Sequence, residues 1–124
     1  MSNAVDVTTL KAEKFGTETI KAVTTKSGWD AQALIQRGDE HYRASYSVSE
    51  VRAKVIDGPA ASLGTFVSVE SKVKPLPSSS EGTNATFEYS GLVKFTKGKA
   101  DITIIIEVES KSHYVVKRFT VAPA

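Results

Sequence analysis

The stretch that decides the fold is Ala85-Thr86-Phe87-Glu88-Tyr89-Ser90-Gly91-Leu92-Val93-Lys94-Phe95-Thr96-Lys97-Gly98-Lys99-Ala100-Asp101-Ile102-Thr103-Ile104-Ile105-Ile106-Glu107-Val108-Glu109. Ala85, Phe87, Tyr89, Gly91, Val93 and Phe95 share one parity, while Thr86, Glu88, Ser90, Lys94 and Thr96 share the other. A period of two marks a half-buried strand. Ala100, Ile102, Ile104, Ile106 and Val108 repeat the pattern, with Asp101, Thr103, Glu107 and Glu109 between them. Lys97-Gly98 reads as a two-residue hairpin turn. It sets Phe95 opposite Ala100, Val93 opposite Ile102, Tyr89 opposite Ile106, Phe87 opposite Val108 and Lys94 opposite Asp101. A slip of one residue would scramble both faces.

Working outward, a second tight turn at Lys111-Ser112 leads into a last strand. There Val115 faces Val108, Phe119 faces Ile104 and Val121 faces Ile102. Lys117 then falls on the apolar face opposite Ile106, a device that protects a sheet edge from aggregation. Upstream, Thr65, Val67, Val69 and Val73 alternate with polar residues. Tyr42, Ala44, Tyr46 and Val48 share one parity and Val51, Ala53 and Val55 the other, which suggests a bulge near Ser49-Glu50. Asp57-Gly58-Pro59 to Gly64 and Pro75 to Gly82 are breaker-rich and read as loops.

The expected fold is therefore mainly β, with α+β left open, in a single domain. A five-stranded antiparallel meander runs over approximately 42–56, 64–74, 84–96, 99–109 and 113–122. Residues 1–40 form a segment of short helices or a hairpin that covers one face, and 41–124 form the meander. Within that segment Thr8 or Thr9 can cap a helix through Phe15, and Thr17 to Thr25 reads as a strand. Asp30 can cap a helix Ala31 to Arg37 that ends at Gly38. The covering residues are Leu10, Phe15, Ile20, Val23, Trp29, Leu34 and Ile35.

Composition narrows the function classes. Apolar residues make up 40% and charged residues 24%, a balance that suits a packed core and excludes a disordered chain. No stretch approaches the ~20 apolar residues of a membrane helix. There is no cysteine, which removes disulfides, thiol nucleophiles and cysteine-based zinc sites. A net charge of +2 is too small to argue for nucleic acid by itself. Met1-Ser2-Asn3-Ala4 lacks the basic and apolar regions of a signal peptide, so the expected location is cytoplasmic or within a virion.

No catalytic, cofactor-binding or metal site is expected. Asp39-Glu40-His41 places carboxylates beside an imidazole, but neighbours on a strand point to opposite faces and no second histidine sits at ligand spacing. Arg37-Gly38-Asp39 spells an adhesion tripeptide and reads as a turn that ends a helix. Asn84-Ala85-Thr86 spells a glycosylation sequon. A curved sheet with an N-terminal helix resembles the cone-shaped small-ligand folds, whose inward Asp or His does the chemistry. Here Lys117 is the one titratable residue expected to point inward in the three best-read strands.

Two surfaces stand out. Leu92, Ile105, Tyr114 and Val116 carry apolar character on the polar parities and form a candidate protein interface. Arg43, Arg52, Lys54, Lys72, Lys74 and Lys94 form a candidate nucleic-acid contact, although Glu50, Glu70 and Glu88 share their face.

Element order and length resemble the coat proteins of small RNA bacteriophages. Tyr42-Arg43-Ala44-Ser45-Tyr46-Ser47-Val48 and Thr65-Phe66-Val67-Ser68-Val69-Glu70-Ser71-Lys72-Val73 look similar to their RNA-facing strands. The two C-terminal helices that clasp a partner in that family have no counterpart, since His113 to Ala122 reads as a strand. The resemblance implies a non-enzymatic, self-assembling structural protein of a phage or virus particle, of coat, tail or decoration type, with itself as partner. The alternatives are a nucleic-acid-binding β-sheet module, a small-ligand-binding cone-like domain, and a small inhibitor that docks on another protein through Leu92 and Ile105.

Overall fold

Ala12, Phe15, Gly16, Thr19, Ile20 and Val23 recur at helical spacing, and all but Phe15 are buried. That stripe makes one helix, α1 (Val7–Thr24), of what read as a short helix followed by a strand. The Thr19 and Thr24 hydroxyls donate back to the carbonyls of Phe15 and Ile20, which satisfies both groups inside the core. The computed structural model describes residues 7–26, 28–76, 85–110 and 113–124. The turn at Lys111-Ser112, most of the loop ending at Gly82, Asn84 and Met1 to Ala4 lie outside them.

Helix α2 (Ala31–Arg37) follows the reading, with Ala33 N–H donating to Asp30 Oδ1 at 3.2 Å and the chain leaving at Gly38. The expected strand over 42–56 is absent. Its place is taken by α3 (Glu40–Ser45), α4 (Val48–Val51), a π-helical turn at Arg52–Ile56 and α5 (Asp57–Leu63). Two caps decide this. Asp39 accepts from Tyr42 N–H at 2.7 Å, and Ser47 and Glu50 close a reciprocal capping box. Tyr42 and Tyr46 are four apart, a spacing that serves a helix face and a strand face equally. Ser49-Glu50, where the phase change reads as a bulge, lies inside α4, and the break between α3 and α4 falls just before it at Tyr46-Ser47.

Asp57-Gly58-Pro59, read as a loop, opens α5. Proline lacks an N–H and its ring crowds the carbonyl four residues back. The π turn just before it widens the helix where that carbonyl lies. Gly64, at φ 84°, ends α5; a Cβ there would lie 2.1 Å from Thr96 Oγ1.

The sheet is a four-stranded antiparallel meander of order β1 (Phe66–Leu76), β2 (Thr86–Phe95), β3 (Lys99–Ser110) and β4 (His113–Pro123). The architecture is α+β, with helix and strand in nearly equal measure. The β2–β3 turn sits one residue earlier than expected, at Thr96-Lys97, with Phe95 N–H donating to Gly98 O at 2.7 Å. Val93 therefore faces Ala100, Tyr89 faces Ile104 and Phe87 faces Ile106. A shift of two residues keeps every side chain on its face, but Lys94 now meets Lys99 instead of Asp101.

In the β3–β4 pair, Ile104 faces Phe119 and Ile102 faces Val121, as expected. A bulge at Ile105/Ile106 then sets Val116 opposite Ile106 and Tyr114 opposite Val108. Lys117, expected opposite Ile106 on the apolar face, is the extra residue and stands exposed. A similar irregularity in β1 brings Phe66 opposite Phe95 and leaves Val67 49% exposed.

The inner face of the sheet is sealed from within the chain. Ile20, Val23, Trp29, Leu34, Tyr42, Val51, Ile56 and Ala60 pack over Tyr89, Val93, Ile102, Ile104, Ile106 and Phe119, with Phe15 and Ile35 at the margin. Leu10, expected among the covering residues, is 51% exposed. Trp29 holds φ at 59°, a rare value for a bulky side chain. It is fixed there by stacking on Phe95 at 5.3 Å and by donating Nε1–H to Gly64 O at 2.6 Å. No second subunit is needed to hide this face.

Helix α1 reaches β2 because Gly16 has no side chain. A Cβ there would lie 2.4 Å from Tyr89 Cδ2, and Tyr89 is fully buried and bonded through its hydroxyl to Thr17 Oγ1 at 2.8 Å. Gly16→Ala should therefore lower stability to chemical denaturation by about 1–3 kcal/mol, as overpacking does, despite alanine's better helix propensity.

Candidate functional site

Two surfaces remain once the inner face is closed. The first is the outer face of the sheet. Ser90, Leu92, Thr103 and Ile105 lie across its middle together with the charged Glu70, Lys72, Asp101 and Arg118, Lys94 and Lys99 lie next to the β2–β3 turn, and Glu88, Glu107 and Glu109 lie toward the other end. The second is a cleft of about 460 Å³ along the free edge of β4, walled by α3, α4 and the π turn.

The expected interface residues part company. Leu92, 39% exposed, and Ile105 stay on the outer face, but Leu92 faces Asp101 whereas Ile105 faces Glu88. Four strand positions separate them, roughly 13 Å at 3.3 Å per residue, so they do not form one apolar spot. The β4 bulge turns Tyr114 and Val116 to the inner face. Val116 is buried opposite Ile106, and Tyr114 packs its ring 6.1 Å from that of Phe15. Val116 belongs to the core, and Tyr114, half-buried, packs against it.

The six basic candidates also divide. Lys72, Lys74 and Lys94 are exposed on the outer face, with Lys74 paired to Glu88 at 3.2 Å. Arg43, Arg52 and Lys54 lie on the helices that cover the inner face. Arg52 is tied to Asp57 at 3.2 Å and to Gly28 O. The structure therefore gives no continuous basic stripe joining all six.

At the β4 edge Gly38 forms a parallel bridge with Val116, and Asp39 N–H donates to Val116 O at 3.0 Å. This covers part of an open edge and buries the Asp39 carboxylate. Lys117 Nζ answers it at 3.5 Å and reaches Glu107 at 3.6 Å. Asp39, Glu107 and Glu109 bring three carboxylates within 4.8 Å of one another. The Lys117 ammonium supplies the positive charge at Asp39 and Glu107, and Glu109 meets His113 at 3.6 Å. The Arg37-Gly38-Asp39 tripeptide is thus a buried junction between α2 and α3, and Glu40 and His41 are exposed on the first turn of α3.

Lys117 and Arg118 both line the cleft, together with Phe119 from β4 and Tyr42, Tyr46, Glu50 and Lys54 from the helices. The bulge brings Lys117 to this rim, whereas Arg118, opposite Ile105, keeps the parity of the outer face. Tyr42 and Tyr46 rings lie 4.9 Å apart at 47°. Burial, with Tyr46 adding to it, pushes the Tyr42 hydroxyl up to about 12. Hydrogen bonds from Ser47 hold the Glu50 carboxyl below its ordinary value. Sequence reasoning missed this cleft by taking Tyr42 to Val55 as a strand. The caps at Asp39 and Ser47-x-x-Glu50 were the signals that could have found it.

Comparison with protein-family models, curated proteins and solved structures gives no match to the chain, so the site is read from its own geometry.

Tyrosine burial sets an alkaline limit on stability. Tyr42 and Tyr89 are both raised, Tyr89 chiefly by burial, so the fold binds these protons more tightly than the unfolded chain does. The resulting stability is full below pH 10 and is lost as pH rises toward 12, with Tyr42 alone contributing on the order of 3 kcal/mol. Denaturation curves across that range should show the loss, and Tyr42→Phe should flatten it.

Proposed function

We propose that this chain is a non-enzymatic, self-associating domain in which the outer face of the sheet packs against the same face of a second copy. The observation that carries the reading is the cross-strand pair Lys94–Lys99. Like charges placed directly opposite cost stability in an isolated sheet, and Glu70 is the carboxylate that borders the same hollow as this pair. Glu88, Glu107 and Glu109 lie toward the opposite end of the same face, each also within reach of a cation of its own chain, Lys74, Lys117 and His113 respectively.

A two-fold axis in the plane of the interface, perpendicular to the strands, sets the basic end of one copy over the acidic end of the other. It does so twice, as an isologous contact requires. The central rows, in which Ser90, Leu92, Thr103 and Ile105 stand among Glu70, Lys72, Asp101 and Arg118, then meet their own counterparts. Four strands about 4.8 Å apart and about ten residues long offer roughly 600 Å² per copy, near the lower limit for a specific interface. In this reading the chain is a building block of a larger particle, of the coat, tail or decoration kind, with no chemistry of its own. The seven residues Tyr42 to Val48, which carried half of the coat-protein resemblance, are helical or lie between helices, so the proposal stands on the outer face instead.

Light scattering coupled to size exclusion tests this. A dimer is expected at tens of micromolar in low salt, weakening about tenfold or more near 0.5 M salt as charge pairs are screened. Leu92→Lys should abolish association. Lys99→Glu should have opposite effects on two readouts: it stabilises the monomer by about 0.2–1 kcal/mol through a pair with Lys94, and it weakens the dimer. A strict monomer at high concentration in low salt, or association indifferent to both substitutions, would overturn the proposal.

A further inference from the structure

We propose that the open edge of β1 pairs antiparallel with the same edge of a second copy of this chain, about a two-fold axis through Ser71. The two edges of the sheet are built differently. At β4, Gly38 bridges to Val116, Asp39 N–H donates to the Val116 carbonyl and Lys117 stands alongside. Strand β1 pairs with β2 on one side, and no described residue pairs with its other side. A row of unpaired N–H and C=O groups is a template for another strand.

Pro75 shows which groups form that row. Its nitrogen carries no hydrogen and cannot serve β2, so it faces the open side. The N–H and C=O of a strand residue point the same way and alternate in direction along the strand. Val73, Ser71 and Val69 therefore offer theirs to the open side as well. The irregularity between Phe66 and Ser68 at one end and Pro75 at the other confine the regular stretch to 68–74.

The side chains of this stretch are self-complementary. With Ser71 on the axis, Val69 meets Val73 of the other copy on the inner side and Glu70 meets Lys72 on the outer side, each twice by symmetry. Glu70 and Lys72 then occupy the non-hydrogen-bonded positions, where side chains across a strand pair come closest. A slide of two residues sets either Glu70 or Lys72 against itself, and a slide of one turns inner residues outward. Within one copy Glu70 and Lys72 are exposed and have no ion pair among the described residues.

Uncovered apolar surface lies at the same edge. Leu10, 51% exposed, and Val67, 49%, are the most exposed large hydrophobic residues among those described. Val67 is the extra residue of the β1 irregularity. Leu10 shares one side of α1 with Glu13, Thr17 and Lys21 by helical spacing. Glu13 accepts from Ser71 Oγ at 2.7 Å, and the Lys21 ammonium lies 5.9 Å from the centre of the Phe66 ring, so that side is turned to β1. Since α1 lies over β1 and β2, the two-fold sets two α1 helices side by side, roughly 10 Å apart, an ordinary helix-packing distance. Leu10 gains cover there. The two Glu13 carboxylates also approach the axis, which keeps the contact weak.

The axis crosses the sheet at the row Ser71–Gly91–Ile102. Lys94 and Glu88 stand at equal distances on either side of Gly91, so the two-fold of the outer-face contact passes over the same row. Two perpendicular two-folds that meet close a tetramer. This consequence rests on the outer-face reading, whereas the edge contact stands without it.

Sedimentation velocity on the full chain carrying Leu92→Lys, which disables the outer-face contact, provides the test. Monomer at tens of micromolar and dimer at about 1 mM in low salt are expected of a weak contact. In that background Glu70→Lys or Lys72→Glu alone should weaken association at least threefold, and the double reversal should restore it. The chain has no cysteine, so one introduced thiol reports the register. Ser71→Cys should crosslink to a dimer under mild oxidation. Ser68→Cys, roughly 20 Å from its own counterpart across the axis, should not. Circular dichroism confirms that each variant folds. Monomer at about 1 mM, a double reversal no better than the single ones, or equal crosslinking of the two thiols would each overturn the edge contact. Wild type and Leu92→Lys dimerising alike at that concentration supports the edge contact and overturns the outer-face one.

Discussion

Everything in this molecule depends on the inner face of the sheet being closed by helices of the same chain. Three central rows of isoleucine, valine and aromatic side chains, worth about 1.5–3 kcal/mol for each large side chain buried, cannot face water. Helix α1 lies directly on β1 and β2 because Gly16 lets its backbone meet the Tyr89 ring. The remaining helices complete the cover at the β4 side. With the apolar demand met internally, any further activity must come from the surfaces the closure leaves over.

The closure also explains where the irregularities fall. A meander of alternating residues fits a single flat layer, but the helical cover runs beyond the last strand at one edge. There β4 needs two apolar residues facing inward, Val116 and Phe119, which are three apart and cannot both do so in a regular strand. The bulge at Ile105/Ile106 absorbs the odd residue, and Lys117 is what it ejects. Once outside the core, the ammonium becomes the partner of Asp39, the residue that caps α3 and covers the β4 edge. One backbone adjustment thus joins strand packing, edge protection and helix capping.

Strands β1 to β4 were legible because period two is unambiguous when a long apolar row alternates with charges, as from Phe87 to Glu109. Even the misplaced turn at Thr96-Lys97 did no damage to the faces, since an error of two residues preserves parity. The helix α2 was legible from Asp30 and Gly38. Residues 42–56 were not, because Tyr42 and Tyr46 satisfy both periods and only the caps distinguish them. The bulge was invisible for a different reason: Val115 and Val116 are equally apolar, so nothing local says which of them faces inward. Alternation read without the bulge puts Tyr114 and Val116 on the surface and Lys117 in the core, all through that single ambiguity.

The same ambiguity bears on what can serve as a site. Alternation, read without bulges, assigns each residue of a strand to one of two faces and leaves the free edge out of account. Yet the edge is where this chain assembles groups of different kind: a buried carboxylate from the α2–α3 junction, the Lys117 ammonium from β4, and a tyrosine pair from α3 and its exit. The β4 residue lies far along the chain from Asp39 and the tyrosines, and each group is placed by a cap or an irregularity. The outer face, in contrast, follows directly from alternation, and its charges are arranged along strands whose register is set by the core beneath them. The two surfaces differ in physical origin. The outer face is a by-product of regular pairing and suits a regular partner such as a copy of itself. The edge is built from departures from regularity, which have no reason to match a repeating surface and every reason to shape a pocket.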